Sequence, residues 1–359
     1  MKKLFFSLLA VAAMASCSKS ELSERPVVRP EAGDVQILAK SNAKGITTRT
    51  PFENPISADN ELQAKVLVSL KSNDYSTLWN TADDEMVFTN STDSIGFKTT
   101  AAYYPADGST VYLCGFYPYS GWTEGTNRSH MDFIIDGKTD VMTAKEVSGD
   151  KTKAQDKNEA SPALTFEHLL TQLVVKVQAA DSAAYTAWGK ITDMCLVKAS
   201  GHTGNDRAIY PLVRVTPGTG AAAYRVDDDA NYLSSLDFYG IEKGDSTTNN
   251  VFGKNDTGAA APVALPVPAD DKAVAVAYTL VTPVTATEKH YTLVIKTENH
   301  TDEYVIPVTL YQKDSTDAFT DETTGYSFDI ELTFNATEIL AKASVADWKE
   351  GGVTVVPVQ

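Results

Sequence analysis

The 359 residues predict an all-β chain, with two tandem antiparallel β-sandwich domains following an N-terminal leader. Apolar residues recur at alternate positions in segment after segment, Gly, Pro, Asp and Asn punctuate the intervals, and long helical periodicities are few. Alternation sends successive side chains to opposite faces, so each segment offers one dry and one wet face, as an antiparallel sandwich requires. The hydrophobic content of 43% is that of a chain with a proper core. The length allows two such cores in series.

Residues 1–16 read as a signal peptide. Lys2 and Lys3 give a positive start, residues 4–15 (LFFSLLAVAAMA) form a 12-residue apolar run, and Ala15 and Ser16 place small residues before Cys17. Such a run is too short to span about 30 Å of hydrocarbon, so the expectation is export. Residues 17–49 follow as a propeptide. Its first part (SKSELSERPVVRPEAG, 18–33) is polar and carries Pro26 and Pro30, as a tether would. In residues 34–39 (DVQILA), Val35, Ile37 and Ala39 alternate with Gln36 and Leu38, which predicts a short strand. Residues 44–51 (KGITTRTP) then present a polar, Thr-rich site where a trypsin-like protease can cut between Arg49 and Thr50. That cut would separate the short strand from the rest of the chain and leave a hydrophobic groove.

The first domain is expected over 50–180. Strands are predicted at 62–70 (LQAKVLVSL) and 109–119 (STVYLCGFYPY), the latter preceded by a Pro/Asp/Gly turn at 103–108. Residues 140–160 are rich in Lys, Asp, Glu and Ser and read as a surface loop. The run 164–179 (LTFEHLLTQLVVKVQA) reads as the last strand of this domain, after which 181–185 (DSAAY) breaks the pattern. The second domain is expected over 181–359, with strands at 190–198, 273–282, 290–297, 303–310 and 327–334. Pro307 points to an edge strand. In 327–334, Phe328, Ile330, Leu332 and Phe334 share one face. The terminal segment 353–359 (VTVVPVQ) reads either as a frayed edge strand or as a mobile extended segment able to add to another sheet.

The net charge is −16, and removal of residues 1–49, with eight Lys/Arg and four Asp/Glu, leaves −20. That field repels nucleic acid and anionic membrane surfaces, so neither is an expected partner. No zinc-protease, Cys-x-x-Cys, serine-elbow or phosphate-loop spacing occurs, so neither an enzyme nor a cofactor is expected. Among the five His, His168 in FEHLL reads as a partly buried structural residue. The acidic run 227–231 (DDDAN) resembles a calcium loop only until Tyr232 and Phe238, which stand where Gly and Glu are needed. Cys114 and Cys195 sit in apolar strand-like runs and read as small buried hydrophobes, with a bridge between them possible outside the cytoplasm. Tyr117, Tyr119 and Trp122 (FYPYSGW) read as packing under a turn, with a sugar-stacking platform as the alternative.

Taken together, several motifs resemble the fimbrillin family, the type V pilins and related surface lipoproteins of Gram-negative gut and oral bacteria. They are the small-small-Cys junction at Cys17, TTRT at 47–50, AAYYPADGSTVYLCGFYPY at 101–119, DVMTAK at 140–145, LTFEHLLTQLVVKV at 164–177 and ASVADWKEGG at 343–352. The resemblance implies transthyretin-like sandwich domains, lipidation of Cys17 with delivery to the cell outer membrane, and proteolysis after Arg49. It also implies head-to-tail polymerisation with other pilin subunits into a fimbrium by donor-strand exchange, serving cell adhesion. In those terms Val35, Ile37 and Ala39 belong to the displaced leader strand, and Val353, Val355, Val356 and Val358 to the donor strand candidate. A monomeric outer-membrane lipoprotein that binds a glycan or host receptor is the other expectation.

Overall fold

Side chains on β2 (Leu62–Ser69) show how the N-terminal layer is built. Leu62, Ala64, Val66 and Val68 point into one apolar cluster, while Leu67 points into another on the opposite face. Both faces of this strand are dry, which is why its second half reads as a continuous apolar run. A computed structural model describes residues 34–44, 61–79, 83–89, 93–156, 161–197, 209–225, 233, 235–240, 265, 273–284, 290–311 and 318–346. From Val35 onward they belong to one compact unit.

The six-stranded sheet containing β2 also holds β1 (Lys40–Lys44), β3 (Asp83–Phe88), β4 (Val111–Tyr117), β7 (Met142–Gly149) and β8 (Ala163–His168), in the order β1-β8-β7-β4-β2-β3. All its neighbours are antiparallel except β1, which runs parallel to β8 with Ser41 opposite Leu164. Gly115 on β4 is needed for close approach, because a Cβ there would lie 2.7 Å from the Phe166 ring. That ring is fully buried against Phe88 and has nowhere to move. One face of this sheet packs on a four-stranded sheet of β5 (Trp122–Glu124), β6 (Met131–Ile134), β11 (Leu212–Thr216) and β12 (Ala221–Arg225). Leu67, Cys114, Phe116, Phe133, Val213 and Val215 form the core between them.

The C-terminal layers are a five-stranded sheet and a four-stranded one. The former is ordered β14 (Tyr239–Gly240), β15 (Val274–Val281), β9 (Thr171–Ala179), β18 (Ser327–Phe334) and β19 (Ile339–Ala346). The latter is ordered β13 (Ser235–Asp237), β10 (Ile191–Val197), β16 (His290–Thr297) and β17 (Tyr304–Thr309). Leu173, Val175, Phe328 and Ile330 meet Met194, Leu196, Leu293 and Ile306 in one core. The all-β expectation therefore holds, and β2, β4, β10, β15, β16, β17 and β18 lie within a residue or two of where alternation put them. Pro307 is indeed on an edge strand.

Four local expectations need correction. The run 164–179 is two strands in two sheets, because the chain turns at Leu169 and Leu170: β8 stays in the N-terminal sheet, whereas β9 lies between β15 and β18. Residues 140–156 are not a loop. β7 is paired on both sides, and helix α1 (Lys151–Gln155) follows it with Asp150 accepting from the Lys153 amide at 2.9 Å. Polar side chains on β7 hid a strand whose buried positions are Met142, Thr143, Ala144 and Gly149. The break after residue 180 is helix α2 (Ser182–Trp188), capped by Asp181 accepting from the Ala184 amide at 2.7 Å. Residues 34–39 are extended but make only isolated bridges, and the ladder itself begins at Lys40.

Candidate functional site

What positions the leader is the unbroken inward alternation of its extended backbone. Ile37 and Ala39 are fully buried, and Val35 packs at the margin of the same core. That core contains Leu62, Val66, Phe88, Leu113 and Phe166 from the six-stranded sheet, with Phe97, Ala102 and Tyr104 from the 93–110 segment. The opposite face of the sheet is covered by strands. Here the leader itself is part of the cover.

Main-chain hydrogen bonds fix the register. The Ile37 amide donates to Ala102 O at 2.8 Å, and the Tyr104 amide to Val35 O at 2.9 Å. Ala39 and Ile95 exchange both bonds, at 2.9 and 2.8 Å, and the Lys40 amide donates to Pro162 O at 2.8 Å. Beyond Lys40, β1 joins β8 at the edge of the sheet. Tyr104 is nearly buried beside this dock, and burial, with a smaller contribution from Asp150, raises its phenol above the usual value. The arrangement is a groove filled by a segment from the same chain, held by backbone pairing and by alternate apolar side chains. Chemically it can bind an extended strand.

Sequence reasoning missed the continuation of this site through Ser41, which is fully buried on the same inward face. The alternation of Val35, Ile37 and Ala39 pointed to it, but a polar residue at the next inward position broke the pattern. It also missed the partner segment around Ile95 and Ala102–Tyr104, which has no strand of its own. Cys17, Arg49, Thr50 and the donor strand candidate residues Val353, Val355, Val356 and Val358 lie outside the described residues.

The other singled-out residues have structural surroundings. His168 Nδ1 donates to Asp140 Oδ2 at 2.5 Å, with both side chains buried. Trp122 Nε1 donates to Tyr119 O at 3.1 Å, and its ring packs on Phe133 with centroids 6.2 Å apart. The Lys65 ammonium lies 5.8 Å from the ring centroids of both Tyr119 and Trp122. The two rings are thus engaged from within the chain rather than presented as an open platform. Cys114 and Cys195 are both free thiols. Burial pushes them up, to about 12 and about 11 respectively, which keeps them protonated and inert at neutral pH. A cleft of about 490 Å³, lined in part by Lys145, Glu167, His168 and Tyr224, opens beside β12. Among the described residues no cluster of His, Cys, Asp and Glu could hold a metal ion, and no helix is long and apolar enough to cross a membrane.

Comparison with known proteins gives one family and several solved structures of low sequence identity. The fimbrillin-like family model matches residues 48–348. A candidate cell adhesion protein from Bacteroides uniformis superposes with a TM-score of 0.55 at 14% identity, covering 89% of this chain and 100% of that one. A candidate adhesin from Bacteroides ovatus gives a TM-score of 0.39 at 8% identity, with 91% and 95% coverage. The fimbrial anchor protein Mfa2 from Porphyromonas gingivalis gives 0.35 at 11% identity, with 84% and 90% coverage. No curated protein sequence matches.

Proposed function

Because the chain belongs to the fimbrillin-like family, we propose that it is a structural fimbrial subunit serving cell adhesion, with no enzymatic step. It is exported as a lipoprotein precursor carried on Cys17 to the outer-membrane surface, cut between Arg49 and Thr50, and polymerised by strand exchange. The observation that carries this reading is the burial of Ile37 and Ala39 in a core they share with the six-stranded sheet, on a segment that one cut after Arg49 would detach.

The physical logic runs from that burial. A sheet with an open hydrophobic groove is an aggregation hazard, so a chain in transit gains from a strand of its own. After cleavage, residues 17–49 are held only by non-covalent contacts and can be exchanged for an extended segment of another subunit. That segment restores main-chain pairing and buries alternate side chains at about 25 cal/mol per Å² of apolar surface. Val353 with Val355, or Val356 with Val358, would supply a donor with two valines at alternate positions. Contacts of this head-to-tail kind do not close, so a filament grows.

The test is treatment of purified precursor with a trypsin-like protease. Lys40 and Lys44 lie within the β1 ladder, so their bonds resist while the bond after Arg49 is cut first, and heat-resistant ladders then form on a denaturing gel. A product that stays monomeric after a complete cut, or an Arg49 bond that stays protected, contradicts the reading.

A further inference from the structure

The leader carries a flaw where its fit matters most. Ser41 follows Val35, Ile37 and Ala39 on the inward face of the segment, is fully buried, and stands opposite Leu164 in the parallel ladder. Its hydroxyl has no hydrogen-bond partner among the described residues. A buried hydroxyl that gives up water and finds no partner destabilises the state that buries it, whereas an apolar side chain of similar size does not. Next to it, Ala39 is the smallest apolar filler available at a site closed to solvent. β1 is also the outermost strand of its sheet, so this flaw lies where peeling begins.

We infer that Ser41 weakens the leader's hold on its own groove, and that the Ser41 position selects an apolar side chain in the strand that replaces it, supplied by a second copy of this chain. The inference rests on the strand-exchange reading and adds a direction to it. In the segment 353–358 (VTVVPV), the pairs Val353 with Val355 and Val356 with Val358 each place two valines at the spacing of Ala39 and Ser41. A donor in either register fills both sites with branched apolar groups and leaves no hydroxyl there. At these two positions the donor is favoured over the leader, so the leader protects the groove without holding it permanently.

The experiment compares the precursor with Ser41→Ala, Ser41→Val and Ser41→Thr after cleavage at Arg49, following loss of the excised leader by size-exclusion chromatography and mass spectrometry. Removing an unsatisfied buried hydroxyl slows leader loss by about tenfold in Ser41→Ala. Ser41→Val retains the leader at least as long, and Ser41→Thr, which has nearly the shape of valine but keeps the hydroxyl, releases it at close to the wild-type rate. Ladder formation is delayed in the same order. Ser41→Ala adds no volume, so it remains informative if the larger valine disturbs packing. Equal release rates in all four proteins, with ladders still forming, overturn the role of Ser41 and leave strand exchange standing. A complete cut after which the leader leaves none of the four proteins overturns strand exchange, and this inference with it.

Discussion

Replacing Ile37 by Ala tests whether the leader is a structural part of the core. The side chain is fully buried in the cluster with Phe88 and Phe166, and the substitution removes three carbons. At about 0.8 kcal/mol per buried methylene the transfer loss is about 2.4 kcal/mol, and the unfilled space raises the total to about 3 kcal/mol, within the usual range for Ile to Ala in a core. The loss falls on docking of the leader, so it appears as local opening. Amide hydrogen exchange read by mass spectrometry on the intact precursor is the assay. The amides of Ile37, Ala39, Lys40, Ile95 and Tyr104, all bonded across the dock, should exchange roughly a hundredfold faster, since about 1.4 kcal/mol is tenfold. The central strands β9 and β18 keep their protection. Leu38→Ala, at a half-buried outward position, should have a much smaller effect. Unchanged protection in the leader, or a loss as large for Leu38→Ala, would refute the claim that Ile37 plugs the groove.

Three further outcomes follow from polar groups and thiols elsewhere in the fold. His168→Leu strands the Asp140 carboxylate, whose other oxygen already lacks a partner, and should cost about 3 kcal/mol or more in chemical denaturation, most of it recovered when Asp140 is also made apolar. Glu146 accepts from Ser72 Oγ and the Asn73 amide at 2.6 Å each and from Tyr75 Oη at 2.9 Å. Glu146→Ala should therefore release the turn around Asn73 to limited proteolysis, with a stability loss of about 1–3 kcal/mol. The thiolate is the reactive form, and both thiols titrate above their ordinary value. Alkylation of native protein at pH 8 should thus be slow at both cysteines and fast in denaturant, and as pH rises toward 11 the half-buried Cys195 should react before Cys114. Rapid native labelling of Cys114 at pH 8 would contradict its burial.

Legibility in the sequence depended on whether a strand shows its burial as alternation or as a continuous apolar run. β18 was readable to the residue because Phe328, Ile330, Leu332 and Phe334 are buried at alternate positions with Asp329, Glu331 and Thr333 between them. β7 was not, because Lys145, Glu146 and Ser148 outweigh Met142 and Ala144 in composition although the strand is paired on both sides. The two halves of 164–179 are both apolar, so nothing local marks the turn at Leu169 and Leu170 that sends them to different sheets. Nor does any local signal announce that β11 pairs with β6 across about eighty residues, since register between distant strands is a tertiary matter. At the candidate site, alternation found Val35, Ile37 and Ala39, and the neighbouring Ser41 escaped because its burial contradicts its polarity.

The N-terminal residue of the protein on intact cells tests the central claim most directly. If the leader is a placeholder removed at the surface, sequencing the surface-released chain yields Thr50 as its first residue. A surface chain that still begins at Cys17, with residues 34–44 in place, would contradict the account.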